Sequence, residues 1–227
     1  TLISLDSSKS DIKNHYEIAD KSLIRFNVSA IIYIQYEIAE RGADMKYIAR
    51  SLEKVIEEVT KEYPVVLVTG PRQVGKTTML QKMMEGTNRN YVSLDDLNER
   101  SLAKTDPQLF LELHKPPILI DEVQYAPELF TYIKIYVDSH HEAGDFWLTG
   151  SQIFKLMKGV QESLAGRVAV LSMTTLSQAE ISGAQASPLR IDLTELKARE
   201  QCRKELDVQG VFERIYKGSM PGVVSAQ

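Results

Sequence analysis

The stretch that decides the fold reads Gly70-Pro71-Arg72-Gln73-Val74-Gly75-Lys76-Thr77 and fits the pattern G-x-x-x-x-G-K-[ST]. It follows an apolar, β-branched run, Val65–Thr69, that predicts a buried strand, and it precedes Thr78–Met84, which predicts a helix. Gly70 and Gly75 allow backbone conformations that a Cβ would forbid, so the loop N–H groups and the helix N-terminus can face phosphate oxygens. The order of strand, glycine loop and helix therefore predicts a nucleotide-binding site.

Individual residues of this loop have different expected roles. We expect Lys76 to reach the β and γ phosphates and the Thr77 hydroxyl to bind Mg²⁺. The Arg72 side chain is expected to point away from the phosphates, toward solvent or a partner. A glycine-rich turn before a helix is the plainer interpretation. The predicted cofactor-binding residues are Gly70, Pro71, Arg72, Gln73, Val74, Gly75, Lys76, Thr77 and Thr78.

A second motif follows the apolar run Pro117–Ile120, which ends in two carboxylates, Asp121 and Glu122. In P-loop enzymes an acid at this place helps to hold Mg²⁺, and we assign that role to Asp121, directly or through a water. Glu122 would point differently and polarise the attacking water as a general base. A solvated strand end is the alternative. Together the two motifs predict binding of ATP or GTP, and the lack of an Asn-Lys-x-Asp motif weighs against GTP.

Two further segments carry candidate catalytic residues. In the run after the fourth predicted strand, Ser151 is our first choice and Thr149 our second for a residue that detects the γ-phosphate or positions water. The alternative for Ser151 is an N-cap of the next helix, and one residue can do both. Arg167 is a candidate arginine finger, acting on the chain's own nucleotide or on a neighbouring subunit's. An exposed strand-end arginine is the alternative there.

Strand and helix patterns alternate along the middle of the chain, which predicts an α/β fold with a parallel sheet and helices on both faces. Asp95 and Asp96, after the second strand, are expected to cap the following helix rather than to support a magnesium site. The predicted strands are Val65–Thr69, Tyr91–Leu94, Pro117–Asp121, Phe146–Thr149 and Arg167–Ser172. The predicted helices include Ile48–Val59, two short ones within Leu97–Leu113, one from 126 through Val137, Ile153–Met157 and Leu176–Ile181.

Composition sets bounds on the class of protein. The chain has 227 residues, 43% of them hydrophobic and 26% charged, which is ordinary for a soluble globular protein. A net charge of −4 offers no global basic field for nucleic acid, although a local basic patch stays open. Cys202 is the only cysteine, which excludes an intrachain disulfide and fits a reducing cytoplasm. No apolar run approaches the length of a membrane span, so no membrane partner is expected.

The two ends of the chain differ from its middle. Residues 1–44 do not resemble the rest, and the chain begins with Thr1. One hypothesis takes Met45 as the natural start; the other, with equal weight, takes 1–44 as a genuine upstream domain end. Residues 45–182 are the predicted ATPase domain. Residues 183–227 are expected to be a linker and the beginning of a truncated second domain.

Five sequence blocks, in this order, resemble the prokaryotic AAA-superfamily ATPases that carry a C-terminal domain of unknown function. The blocks are Gly70–Thr78, Tyr91–Asp96, Ile118–Phe130, Leu148–Gln152 and Glu162–Leu171. The resemblance covers about Met45–Ile181. It implies an AAA-type P-loop core, a three-layer sandwich around a parallel five-stranded sheet, with Walker A at Gly70–Thr77 and Walker B at Asp121–Glu122. The implied C-terminal domain, similar in places to nuclease-like or winged folds, would start near Val211 and is almost entirely missing.

Two functions compete at this point. The first is an ATPase that uses Mg²⁺ and couples hydrolysis to a conformational change, and Glu122 favours it because a pure binder needs no base. The second is a slow nucleotide-gated switch or scaffold, linked to DNA through the missing domain. A homo-oligomer in which Arg167 acts across an interface is the expected assembly.

Overall fold

Five parallel strands form one sheet in the order β2-β3-β4-β1-β5. The computed structural model describes residues 47–151, 159–160, 162–184, 192–201 and 207–225. Each predicted strand is confirmed, with bounds within one residue of those expected from its apolar run. The strands are β1 Val65–Thr69, β2 Asn90–Ser93, β3 Ile118–Asp121, β4 Phe146–Gly150 and β5 Val168–Ser172.

The helices also follow the predicted pattern. The split within 97–113 falls at Asp106, whose carboxylate accepts a hydrogen bond from the Leu109 N–H, and Pro107 opens the next helix. The predicted helix Ile153–Met157 lies outside the described residues. The helices are α1 Leu52–Val59, α2 Lys76–Met84, α3 Leu97–Thr105, α4 Pro107–Leu113, α5 Leu129–His140, α6 Gln178–Ile181, α7 Leu193–Gln201, α8 Val208–Lys217 and α9 Pro221–Val224, with a 3-10 turn at Val123–Tyr125.

Helices cover both faces of the sheet, because side chains of the central strands alternate between two apolar clusters. On one face, Leu67, Ile120 and Phe146 belong to a cluster that includes buried residues of α3, α4 and α5. On the other face, Val66, Val68, Leu119 and Trp147 pack with Ile56 of α1 and with Met79 and Leu80 of α2. The result is the predicted three-layer α/β sandwich.

The parallel register brings the polar strand ends to one edge. Thr69 is the register partner of Gly150 and of Ser172, and Ser93 is the partner of Asp121. The glycine loop, the acidic pair and Ser151 therefore begin at the same carboxyl edge of the sheet, where open α/β sheets bind ligands.

The described C-terminal helices are more exposed than the core. Helix α8 ends at Gly218, as expected, and presents large exposed apolar side chains, including Phe212, Ile215 and Tyr216. That this region begins a second domain stays a prediction. Within the described ranges, every helix is too short or too polar to cross a membrane.

Candidate active site

A cleft of ≈ 370 Å³ opens at the carboxyl edge of the sheet. It brings together side chains from the glycine loop, from the start of α2, from the end of β2 and from the turn after β3. The lining residues are Arg72, Gln73, Gly75, Lys76, Thr77, Thr78, Asp95, Glu122 and Tyr125.

The glycine loop has the conformation that the sequence predicts. Gly70 has φ +146°, and a Cβ there would lie 2.1 Å from the carbonyl oxygen of Met173. Gly75 has φ +90° and is the N-cap of α2, so Lys76 is the first residue of that helix. Both positions require glycine, the first for close backbone approach and the second for its dihedral angle.

Lys76 lies at the base of the cleft and is only 5% exposed. Its ammonium donates to the carbonyl oxygens of Gly70 at 3.1 Å and Pro71 at 2.8 Å. Burial holds the pKa of Lys76 below its usual value, while the charges of Glu122 and Asp121 oppose that shift. The loop thus presents a cation opposite the acidic pair.

Asp121 is buried at the end of β3 and links the loop to β4. Its Oδ1 accepts a hydrogen bond from the Thr77 hydroxyl at 2.6 Å and another from the Thr149 hydroxyl. The Thr77 and Asp121 oxygens are the hard donors that Mg²⁺ prefers, and in P-loop sites phosphates and water complete its shell. These residues therefore fit a magnesium ion.

Thr149, the second choice for a phosphate-detecting residue, is fully buried. Its hydroxyl donates to Asp121 and accepts from the backbone N–H of Glu122 at 3.0 Å. Its geometry is therefore that of a residue which orients the acidic pair, and the structure does not place it at the cleft.

Glu122 has left-handed backbone angles, φ 55° and ψ 45°, which are uncommon for a residue with a Cβ and occur often at functional sites. Its Oε2 accepts hydrogen bonds from the Ser151 hydroxyl at 3.2 Å and from the Gln124 amide. The same amide donates to the Ser151 Oγ at 3.4 Å. Ser151, the first choice for a phosphate-detecting residue, thus contacts the predicted base.

Gln124 is a site residue that the sequence reasoning missed. It is 8% exposed, and within the described residues its Oε1 is buried without a hydrogen-bond partner. The available signal was a single amide between apolar residues directly after the acidic pair, in Asp121-Glu122-Val123-Gln124.

Three polar residues at the rim complete the cleft. Arg72 was expected to point away, but it lines the cleft, and its charge lowers the pKa of Lys76. Asp96 caps α3 as predicted, because its Oδ1 accepts from the N–H groups of Asn98 at 2.7 Å and Glu99 at 3.2 Å. Asp95 does not cap that helix through its side chain; it lines the cleft and lies 3.7 Å from Arg100.

The structure does not bring Arg167 to this cleft. Arg167 directly precedes β5, whose first residue, Val168, is the register partner of Val65, so it lies at the amino edge of the sheet. That edge is about 16 Å from the glycine loop, given the rise along a five-residue strand. Its guanidinium forms two hydrogen bonds to Asp138 of α5, at 2.5 and 3.0 Å. This geometry gives no support to action on the chain's own nucleotide.

The fold and the cleft define a P-loop ATPase of the AAA type. The chain belongs to the AAA domain family, whose model matches residues 62–182. Uncharacterized proteins of Mycobacterium bovis and Mycobacterium tuberculosis are each 35% identical to it over 127 residues. Each match covers 56% of this chain and 28% of the relative, so the chain spans well under half the length of those proteins.

Solved structures share the fold. The Walker-type ATPase PABY2304 of Pyrococcus abyssi is similar with a TM-score of 0.50 and 17% identity, over 80% of this chain and 69% of that one. AMPPCP-bound DnaA from Aquifex aeolicus is similar with a TM-score of 0.46 and 14% identity, over 77% of this chain and 57% of that one.

Proposed function

We propose that this protein binds ATP with Mg²⁺ in the carboxyl-edge cleft and hydrolyses it to ADP and phosphate, driving a conformational change. The observation that carries the proposal is the arrangement of Lys76 and the Asp121–Glu122 pair around one cleft that a glycine loop lines. Membership of the AAA domain family supports nucleotide binding.

Each residue has a distinct part in this proposal. The loop residues 70–78 bind the phosphates through backbone N–H groups, and Lys76 contacts the β and γ phosphates. Thr77 and Asp121 hold Mg²⁺, which neutralises phosphate charge when bound. Glu122 accepts a proton from water as the water oxygen bonds to the γ-phosphorus, and the bond from that phosphorus to the bridging oxygen breaks to release ADP. Ser151 orients the Glu122 carboxylate.

The experiment compares ATP binding and turnover in the wild type, Lys76→Ala and Glu122→Gln. We expect Lys76→Ala to lose binding, because it removes the buried cation. Glu122→Gln should retain ATP affinity and lose turnover by at least about 100-fold, the contribution typical of a general base. Glu62→Gln, an exposed acid near the amino edge of the sheet, is the matched control and should turn over normally.

Two outcomes contradict parts of the proposal. Normal turnover in Glu122→Gln would refute the assignment of the base. Tight ATP binding by a wild type that does not turn over would favour the second candidate, a slow nucleotide-gated switch.

A further inference from the structure

A buried arginine outside the cleft contacts the glycine loop from behind. Arg50 lies two residues before α1 and is 8% exposed. One Nη donates to the carbonyl oxygen of Val74 in the loop at 2.8 Å. The other Nη donates to the carbonyl oxygens of Thr174 at 2.8 Å and Thr175 at 3.2 Å, in the segment after β5.

A buried carboxylate fixes the plane of this guanidinium. The Nε of Arg50 donates to Glu180 Oε1 at 3.2 Å. The Glu180 carboxylate also accepts from the backbone N–H groups of Ser51 and Ser177, each at 2.7 Å. Since every donor direction of a guanidinium is set by its plane, Glu180 determines where the Nη atoms point.

The contact with Val74 sets the direction of the next backbone donor. A trans peptide is planar, so its C=O and N–H point in opposite directions. Because Arg50 binds the Val74 carbonyl, the Gly75 N–H of the same peptide points away from Arg50. Gly75 lines the cleft, and it immediately precedes Lys76.

We propose that Arg50 is a positioning residue for phosphate binding: it holds the Val74–Gly75 peptide so that the Gly75 N–H faces the phosphates. This inference rests on the proposed binding of ATP. A merely structural tie would be expected to contribute little here, because buried ion pairs lose most of their Coulomb energy to desolvation.

Arg50→Met tests the proposal, with Arg89→Met as a matched control. Arg89 is another largely buried arginine with three carbonyl acceptors, those of Ile118, Gly144 and Asp145, and it stacks on Trp147. Its acceptors precede or begin β3 and β4, at the amino edge. Both substitutions should lower the melting temperature, but only Arg50→Met should weaken ATP binding, by about tenfold or more, as loss of one charge-assisted contact predicts.

The second probe is inorganic tripolyphosphate, which has no base or sugar. Arg50→Met should weaken tripolyphosphate binding by the same factor as ATP binding, because the lost contact acts on the phosphates. A loss confined to ATP would overturn the proposal, and so would equal affinities in the two methionine variants. Wild type that binds neither ligand would instead overturn the proposed function.

Arg50→Lys keeps the experiment decisive if Arg50→Met does not fold. It retains the charge beside Glu180 and loses the planar fork that joins Val74 to Thr174. We expect a folded protein whose affinity for tripolyphosphate falls roughly fivefold. Unchanged affinity in this variant would contradict the positioning role.

Discussion

At the scale of the residue, the loop depends on two glycines for different reasons. Gly70 has a backbone carbonyl where its Cβ would be, whereas Gly75 has open space and an unfavourable φ. Exposed Gly86, after α2, is a useful comparison because its φ is +77° with nothing within 4 Å. The two kinds of cost can therefore be measured separately.

We predict that Gly70→Ala lowers the free energy of unfolding by at least about 3 kcal/mol, because the Met173 carbonyl must move to admit the new methyl group. Gly86→Ala, which adds only dihedral strain, should cost about 1 kcal/mol. Urea unfolding at neutral pH measures both. Equal costs in the two variants would show that the close approach of Gly70 to Met173 does not constrain the fold.

At the scale of the element, helix α6 shows how burial and hydrogen bonding compete at one carboxylate. Ser177 and Glu180 form a reciprocal capping box, and Glu180 also binds Arg50. Burial by itself would raise the pKa of Glu180, but hydrogen bonds from Ser177, Ser51 and Arg50 lower it to about 2, from an ordinary value of 4.5.

This shift predicts a specific pH dependence. Because the folded pKa lies below the unfolded one, the charged carboxylate stabilises the protein above pH 4.5, and this contribution is lost between pH 4.5 and about 2. Glu180→Gln should lower the free energy of unfolding at pH 7 by on the order of 2 kcal/mol and flatten its decline in that acid window. Unfolding curves of wild type, Glu180→Gln and the exposed control Glu142→Gln at pH 7, 4.5 and 3 measure this. A wild-type decline that persists unchanged in Glu180→Gln would contradict the assignment.

At the scale of the whole molecule, Arg167 lies on the edge of the sheet opposite the cleft and is half-buried beside Asp138. An arginine finger at this position would serve the nucleotide of a neighbouring subunit. That assembly stays a prediction, and it has a direct complementation test.

We predict that Arg167→Ala loses turnover by about 1000-fold while binding ATP normally, as removal of an arginine finger does. Mixing it with Lys76→Ala should restore activity, because one subunit supplies an intact cleft and the other an intact arginine. Turnover is measured across mixing ratios, with each variant alone as the control. No recovery at any ratio would count against action across an interface.

Much of the fold was predictable because its signals are local. Each strand is a short apolar run bounded by glycine, proline or acidic residues, and the helix break at Asp106-Pro107 follows from the chemistry of those two residues. The glycine pattern likewise specifies its own loop, since dihedral angles depend on neighbours along the chain.

The arrangement around the loop depends on contacts between distant segments. Arg50 meets Val74 across 24 residues and Glu180 across 130, so no short pattern reveals either contact. The same holds for Thr149 beneath Asp121 and for Arg167, whose distance from the cleft follows from the β1–β5 register. The chain by itself determined the strands, the helices and the phosphate-loop motif, because those depend on local periodicity and dihedral preference. Only the tertiary structure decided which polar groups orient that loop and its acids, because hydrogen bonds between remote segments exist only after the sheet has brought them together.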